Sequence, residues 1–420
     1  MLVIIFIYLT ALFIAPQLWI EPFVGMRVDY IIYPAWFAMV LLSGRFTGFK
    51  WSAQDVFFLL FITWVIVSIV VNGSHERSSI IIQNYIKWFL LYKLVIWSVQ
   101  DVDGVRKVIN LILFFALVLV VEGIQHKTSS NGIGWAGQSL GWVDASVLRA
   151  GGTGRTQWIN IFDGPGVFCV VYTTALPFIL RYFRESYSVY QKLLAFGMLA
   201  AMGLAIFYTG SRGGFIATLA ILALFFMFRS KKKFPPTRMA VIGAIIFVSF
   251  ILAPAYLTNL HDEQRSAQYR VAMWVEGVEM VQQNPVFGIG SGRFLEYTAR
   301  LIAHNSAIEI MGELGLPGLF FWISMIYMAF RGIYEFVNNT EDPVAKSNAS
   351  MLAISIAGYL VSSMFVTLEY ETFYFLLALA AVVGHASGVE LKFEKKDFYR
   401  VGTIMGVWLV TLKLFVMSYV

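Results

Sequence analysis

His304 is one of five histidines in a chain of 420 residues, and it stands where an imidazole can do acid–base work. Asn305 follows it, a residue type that caps helix N-termini, and a long apolar run begins at Ser306. The positive end of that helix and nearby arginines both disfavour the imidazolium. His304 is therefore expected to be neutral near pH 7 and ready to take a proton, as a general base must be. The arginines are Arg265, Arg270, Arg293 and Arg300. They are set among Asp262, Glu263, Glu276, Glu279 and Glu296, so that 258–303 carries a charge of −1. A surface for generic polyanions would be basic throughout. Separate guanidinium forks suit one defined anion better, because they match phosphate oxygens in geometry. Surface ion pairing is the competing account for any one of them. A bound diphosphate would stabilise the imidazolium formed on proton uptake.

Arg212 lies in Thr209-Gly-Ser-Arg-Gly-Gly214, a short turn between two apolar runs. Snorkelling would explain it. Flanking glycines, however, let backbone N–H groups approach a ligand, and an ionisable group near membrane depth points to function. Glu309 and Glu313 share a face at i, i+4 after His304, and their expected role is to hold arginines in place. Lys87 and Lys93 share one run and are expected to be one snorkeller and one buried partner of an acid such as Glu122. No His/Cys/Asp/Glu cluster has zinc spacing, so no metal site is expected. Neither Gly288–Gly292 nor Gly151–Thr156 has the Lys-Ser/Thr of a nucleotide loop, and Gly-x-Ser-x-Gly is absent. Cys169, the single cysteine, lies in an apolar run and excludes an intrachain disulfide.

These side chains must be held by a membrane-embedded frame. Apolar residues make up 59% of the chain and charged ones 13%, with mean hydropathy +0.72. Soluble domains run near ~25% charged. That excludes a soluble enzyme, a disordered regulator and a disulfide-rich secreted scaffold. Runs near the roughly 20 residues a span needs fall at 2–20, 29–43, 55–72, 80–99, 108–124, 164–182, 192–209, 213–229, 239–257, 306–330, 349–368, 372–387 and 401–419. The expected fold is an all-α polytopic membrane bundle of 12 or 13 transmembrane helices with a partly helical periplasmic loop. With the N-terminus inside, the inside loops hold 18 Lys/Arg and the short outside loops three, Arg27, Arg77 and Arg212. That bias sets the topology, and it makes the net charge of +6 a membrane signature rather than a nucleic-acid one.

The chain then divides into 1–257, nine spans with a glycine-rich outer loop at about 125–163; 258–305, a large outer loop; and 306–420, the C-terminal spans. The first loop carries seven glycines between Gly132 and Gly154, with Asp144, Arg149, Arg155 and Asp163. In the second, Val271, Trp274, Val275, Val278 and Val281 recur at helical spacing, predicting an amphipathic helix over 269–282 that Asn284-Pro285 ends. Phe294 to Ala303 is expected to form another short helix.

Three stretches carry a resemblance. Tyr208-Thr-Gly-Ser-Arg-Gly-Gly214, the run Arg270-Val-Ala-Met-Trp-Val-Glu-Gly-Val-Glu-Met-Val-Gln-Gln-Asn-Pro-Val-Phe-Gly-Ile-Gly290, and His304-Asn-Ser-Ala-Ile-Glu-Ile-Met-Gly-Glu-Leu-Gly-Leu-Pro-Gly-Leu319 resemble the O-antigen ligase and polymerase superfamily over roughly 205–330. The resemblance implies a metal-independent, cofactor-free glycosyltransferase of the bacterial inner membrane with its site facing the periplasm. Its donor would be an undecaprenyl-diphosphate-linked glycan, and its acceptor a hydroxyl of a glycan, lipid or protein. Carried over by motif, Arg212 and Arg270 would hold the diphosphate and His304 would be the base. Arg155, Arg293, Asn305, Glu309 and Glu313 would support them. The stretch from Gly292 to His304 is shorter than the family pattern, which leaves ligase against polymerase open. The alternative is a transporter or flippase of lipid-linked oligosaccharide. Such proteins show internal repeats with ionisable groups at the midplane; here no repeat is visible and the polar groups gather on one outer face.

Overall fold

Hydrocarbon offers no partner for an open N–H or C=O, so a chain this apolar must bond its backbone to itself. The computed structural model describes residues 1–46, 51–141, 154–183, 187–229, 260–298 and 301–417, with backbone only at 228–229 and 260–268. Among the described residues there is no strand, only three isolated bridges. In chain order the α-helices are α1 (Leu2–Leu9), α2 (Asp29–Leu42), α3 (Ala53–Val71), α4 (Ser78–Ser98), α5 (Val102–Thr128), α6 (Pro165–Leu180), α7 (Val189–Thr209), α8 (Arg212–Arg229), α9 (Leu260–Gln283), α10 (Phe294–Tyr297), α11 (Ser306–Asn339), α12 (Pro343–Ser362), α13 (Glu371–Ala386) and α14 (Lys395–Met417).

Among the described residues, eight helices are long and apolar enough to cross a membrane, and four apolar stretches are shorter: Leu2–Ile14, Asp29–Leu42, Arg212–Met227 and Glu371–Ala386. Among the described residues the regular structure is all helical, and the protein is multi-pass. Several expected boundaries move. The run 2–20 stops helically at Ile14, because Ala15 turns left-handed (φ 51) and Pro16 starts a 3-10 turn. The run 349–368 ends at Ser362, leaving Thr367 and Glu369 in the connection to α13. Of the helix expected over 294–303, Phe294–Tyr297 is helical, while Thr298 is a turn and 301–303 are not helical. The expected span 239–257 lies outside the described residues, as do Asp144, Arg149, Gly151, Arg300 and the side chain of Arg265.

Two compact units make up the chain. The first is Met1–Ser43, Val102–Leu260 and Glu341–Ser362; the second is Gly44–Asp101, His261–Thr340 and Ser363–Val420. In the first unit α6 packs against α5, α7, α8 and α12, and is buried from Phe168 to Leu180. A helix apolar on every side belongs in such a centre. In the second unit α13 has that place, buried from Phe373 to Gly384 and packed on α4 and α11. Between apolar helices in lipid, close backbone approach supplies the attraction. Gly332 of α11 and Gly384 of α13 provide it: a Cβ on Gly332 would lie 3.0 Å from the Gly384 Cα.

Two lysines of the second unit are paired with acids, as desolvation favours. Lys93 bonds Asp55 at 3.0 Å and Lys87 bonds Glu371 at 2.9 Å. The expected partner Glu122 lies in the first unit, where it accepts from Gln138 at 2.7 Å. Asp55 takes its place because it belongs to the capping box of α3, whose helix packs on α4.

α11 is broken within its length. Gly315 has φ 68, and a Cβ there would lie 2.4 Å from the Val286 carbonyl oxygen, so only glycine fits. The carbonyls released at the break find partners within the protein: Gly312 from Ile289 N–H, Glu313 from Gly290 N–H and Ser68 Oγ, Leu314 from Trp64 Nε1. Irregular backbone survives at membrane depth only when bonded in this way. The break folds the 285–290 loop onto the first half of α11, and that half begins the candidate site.

Candidate active site

Asn305 caps α11 as expected: its Oδ1 accepts the N–H of Ala307 at 3.1 Å and of Ile308 at 3.3 Å. His304, just ahead, has φ 52, in the left-handed region that costs a non-glycine residue roughly 1–2 kcal/mol. Surrounding bonds hold it there. The Ala303 N–H donates to Glu309 Oε1 at 2.9 Å, and the Ala303 carbonyl accepts from Trp274 Nε1 at 3.0 Å. Thr367 Oγ1 donates to the same Glu309 oxygen at 2.7 Å. Ser306 N–H donates to the Ser363 carbonyl at 3.0 Å, and Ser306 Oγ accepts the Leu368 N–H at 2.9 Å.

α9 carries the arginine. It includes the predicted amphipathic helix, but its buried residues are Met273, Gly277, Met280 and Val281, and of the expected stripe only Val281 is fully buried. Gly277 sets that face, for a Cβ there would come within 2.4 Å of Ile308 Cγ2. Arg270 lies one turn before Trp274 and so shares its side of the helix. The His304 imidazole is half-buried, and burial, with the Arg270 charge adding to it, holds its pKa down at about 4. The imidazole is therefore neutral at pH 7. The sequence argument rested on charge and the helix end; burial is the larger cause.

Glu313, one turn beyond Glu309, accepts the N–H of Gly292 at 2.7 Å and of Phe294 at 3.0 Å. Among the described residues, the two carboxylates thus hold backbone N–H groups and Thr367 rather than the arginines expected. The folded-back loop and the 303 peptide bring main-chain donors to them first. Arg293 donates to the Gly73 carbonyl at 2.7 Å and stands 3.9 Å from Glu296, tying its loop to the α3–α4 turn. His75 strengthens that tie through Nε2 to the Ser291 carbonyl at 2.8 Å; Nδ1 accepts the Arg77 N–H, which assigns the proton to Nε2.

Thr367, Glu369, Tyr85 and the polar role of Trp274 were not legible as site residues. Tyr85 donates to Glu369 Oε2 at 2.5 Å, and burial pushes the Glu369 carboxyl up to about 7, with the Glu309 charge adding and the tyrosine bond opposing. The available signal was Thr367-Leu-Glu-Tyr-Glu371, two acids in five residues between apolar runs.

Arg155 and Arg212 belong to the first unit and Arg270, Arg293, His304, Asn305, Glu309 and Glu313 to the second. Within the first unit, Arg155 Nε donates to the Thr209 carbonyl at 3.0 Å and Nη2 to the Gly210 carbonyl at 2.8 Å. These end α7, whose cap Gly210 is left-handed (φ 56), and a cation suits that negative terminus. Thr156 N–H adds a bond to the Tyr208 carbonyl at 3.0 Å, and Lys127 Nζ holds the Gly154 carbonyl at 2.5 Å. Ser211 Oγ accepts the Gly214 N–H at 3.1 Å, so Arg212 opens α8 from a turn held on several sides. The glycine-rich loop thus reaches the Arg212 turn through Arg155.

The sequence profile of the family described as O-Antigen ligase matches residues 197–323, a segment that includes Arg212, Arg270, His304 and both carboxylates. An O-antigen ligase of Pseudomonas aeruginosa is 22% identical over 299 residues, covering 68% of this chain and 70% of that protein.

Proposed function

We propose that this chain, whose residues 197–323 match the O-antigen ligase family, is a membrane glycosyltransferase acting on undecaprenyl-diphosphate-linked glycans. The family supports a glycan-transfer role in a membrane. The donor, the acceptor hydroxyl of a glycan, lipid or protein, and a periplasm-facing site in a bacterial inner membrane are the finer parts of the proposal. One observation carries it: a neutral imidazole, His304, at the mouth of an apolar helix under the influence of the Arg270 guanidinium.

The acceptor oxygen attacks the anomeric carbon from the face opposite the diphosphate, so the glycan inverts its configuration. The new C–O bond forms as the bond to the diphosphate oxygen breaks, and undecaprenyl diphosphate leaves with the electron pair. His304 takes the acceptor's proton and later returns it to water. Arg270 offsets charge developing on the departing diphosphate. Arg212 is proposed as a diphosphate-binding residue on its motif and on the held turn that presents it.

The test is carrier release by purified protein in lipid, followed by mass spectrometry with a synthetic undecaprenyl-diphosphate oligosaccharide. Wild type, His304→Ala and Arg270→Ala are compared with and without added acceptor. Release that needs His304 supports transfer; a ladder of glycan multiples means a polymerase, and growth only on added acceptor means a ligase. Undiminished release by folded His304→Ala sinks the base role. Movement of intact carrier without release points instead to a flippase.

A further inference from the structure

We infer that Glu309 is a positioning residue that holds His304 in its left-handed conformation, an inference that rests on the base role proposed above. Both polar groups of Ala303 are held: its N–H by Glu309 and its carbonyl by Trp274. The next residue, His304, has φ 52. A side chain in that region relaxes to an extended or right-handed conformation once released, and relaxation swings the imidazole away from its present aim. Glu309 is fixed in turn, because the oxygen that accepts Ala303 N–H also accepts Thr367 Oγ1–H. It stands in the first turn of α11, the helix that Asn305 caps. Capping, the carboxylate and the histidine therefore form one short rigid segment, as a precisely aimed base needs.

The chemistry of this role is specific. Both described partners of the Glu309 oxygen are donors, so Glu309 works as an acceptor and its negative charge is not required. A glutamine carbonyl oxygen accepts the same two bonds. A proton-carrying or charge-supplying glutamate would not tolerate that exchange.

The experiment uses full-length protein in lipid with the undecaprenyl-diphosphate oligosaccharide. Glu309→Ala should lower kcat by about tenfold or more with donor KM little changed, since small misplacements cost that much. Glu309→Gln should stay within about threefold of wild type, and Thr367→Val and Trp274→Phe should fall between. As a readout independent of turnover, carbethoxylation of His304 at pH 7, quantified by peptide mass spectrometry, should change rate in Glu309→Ala and not in Glu309→Gln. If Glu309→Ala does not fold, Trp274→Phe tests the same peptide from its other side. Glu309→Gln as inactive as Glu309→Ala overturns the inference, as does wild-type kcat in Glu309→Ala or, failing that variant, in Trp274→Phe. Activity retained in His304→Ala removes the base role itself, and so marks a different failure.

Discussion

Replacing Arg270 with glutamine should raise the pKa of His304, by less than half of its present depression. The imidazole sits at about 4 against 6.5 for a free histidine, a drop of about 2.5 pH units. At 1.36 kcal/mol per unit, that difference is worth about 3.4 kcal/mol. Burial is the larger cause and the Arg270 charge the smaller, so burial alone keeps more than half of it. The variant should therefore rise by at most ~1.2 units, or ~1.7 kcal/mol. The sign follows from charge: a cation near an imidazole opposes a second positive charge, and removing it makes protonation easier. Glutamine preserves much of the bulk, so desolvation changes little. The assay is the pH dependence of His304 carbethoxylation in ligand-free protein, because only the unprotonated ring reacts. Brief pulses across the acidic range, read by peptide mass spectrometry, give the midpoint directly. A wild-type midpoint near 6.5, or one that stays put or falls in Arg270→Gln, would refute the reasoning.

Glu369→Gln should raise the melting temperature at pH 8 and leave it unchanged near pH 4. Glu369 titrates at about 7 in the folded protein against 4.5 when free, so its stabilising effect is present below 4.5 and lost as pH rises through 7, up to ~3.4 kcal/mol. Equal gains at both pH values would contradict that linkage. Arg155→Lys should raise the donor KM by about tenfold, ~1.4 kcal/mol, with kcat changing less, because one ammonium cannot span two successive carbonyls as the guanidinium fork does. Steady-state kinetics with donor varied decide it, and an unchanged KM removes the clamp from the argument for Arg212.

The Asn305 cap, with His304 just ahead of it, could be read in the sequence because its signal is local. A cap residue beside a histidine at the start of an apolar run needs no knowledge of distant chain. The supporting contacts are not local: Thr367 meets Glu309 across 58 residues and Trp274 meets Ala303 across 29. Nothing in periodicity encodes such pairings. Gly277 shows how a local rule misleads. Within a helix a glycine reads as weakness and the valines read as the buried stripe, yet glycine marks where α9 comes closest to Ile308. Lys93 shows the same for charge. Glu122 was the conspicuous acid in the following span, whereas Asp55, already drawn into the capping box of α3, was the one within reach.

A base with a resting pKa of about 4 is almost wholly unprotonated at pH 7, but holds a proton poorly. Brønsted behaviour favours a pKa near the working pH. Donor binding reconciles the two requirements if its diphosphate lies near Arg270. One negative charge about 5 Å from the ring, at an effective dielectric of about 20, is worth ~3 kcal/mol, which is about 2 pH units. The empty site then keeps His304 neutral, and the occupied site makes it a competent acceptor. Two acid limbs should therefore appear. That of kcat/KM, which reports free enzyme, should lie near the resting value of about 4. That of kcat, which reports the occupied enzyme, should lie about 1–2 units higher. Arg270→Gln should move the free-enzyme limb upward by at most ~1.2 units, since protonation is easier once the cation is lost. Coincident limbs in the wild type would mean that the diphosphate binds too far from His304 to influence it, and the proton would then need another acceptor.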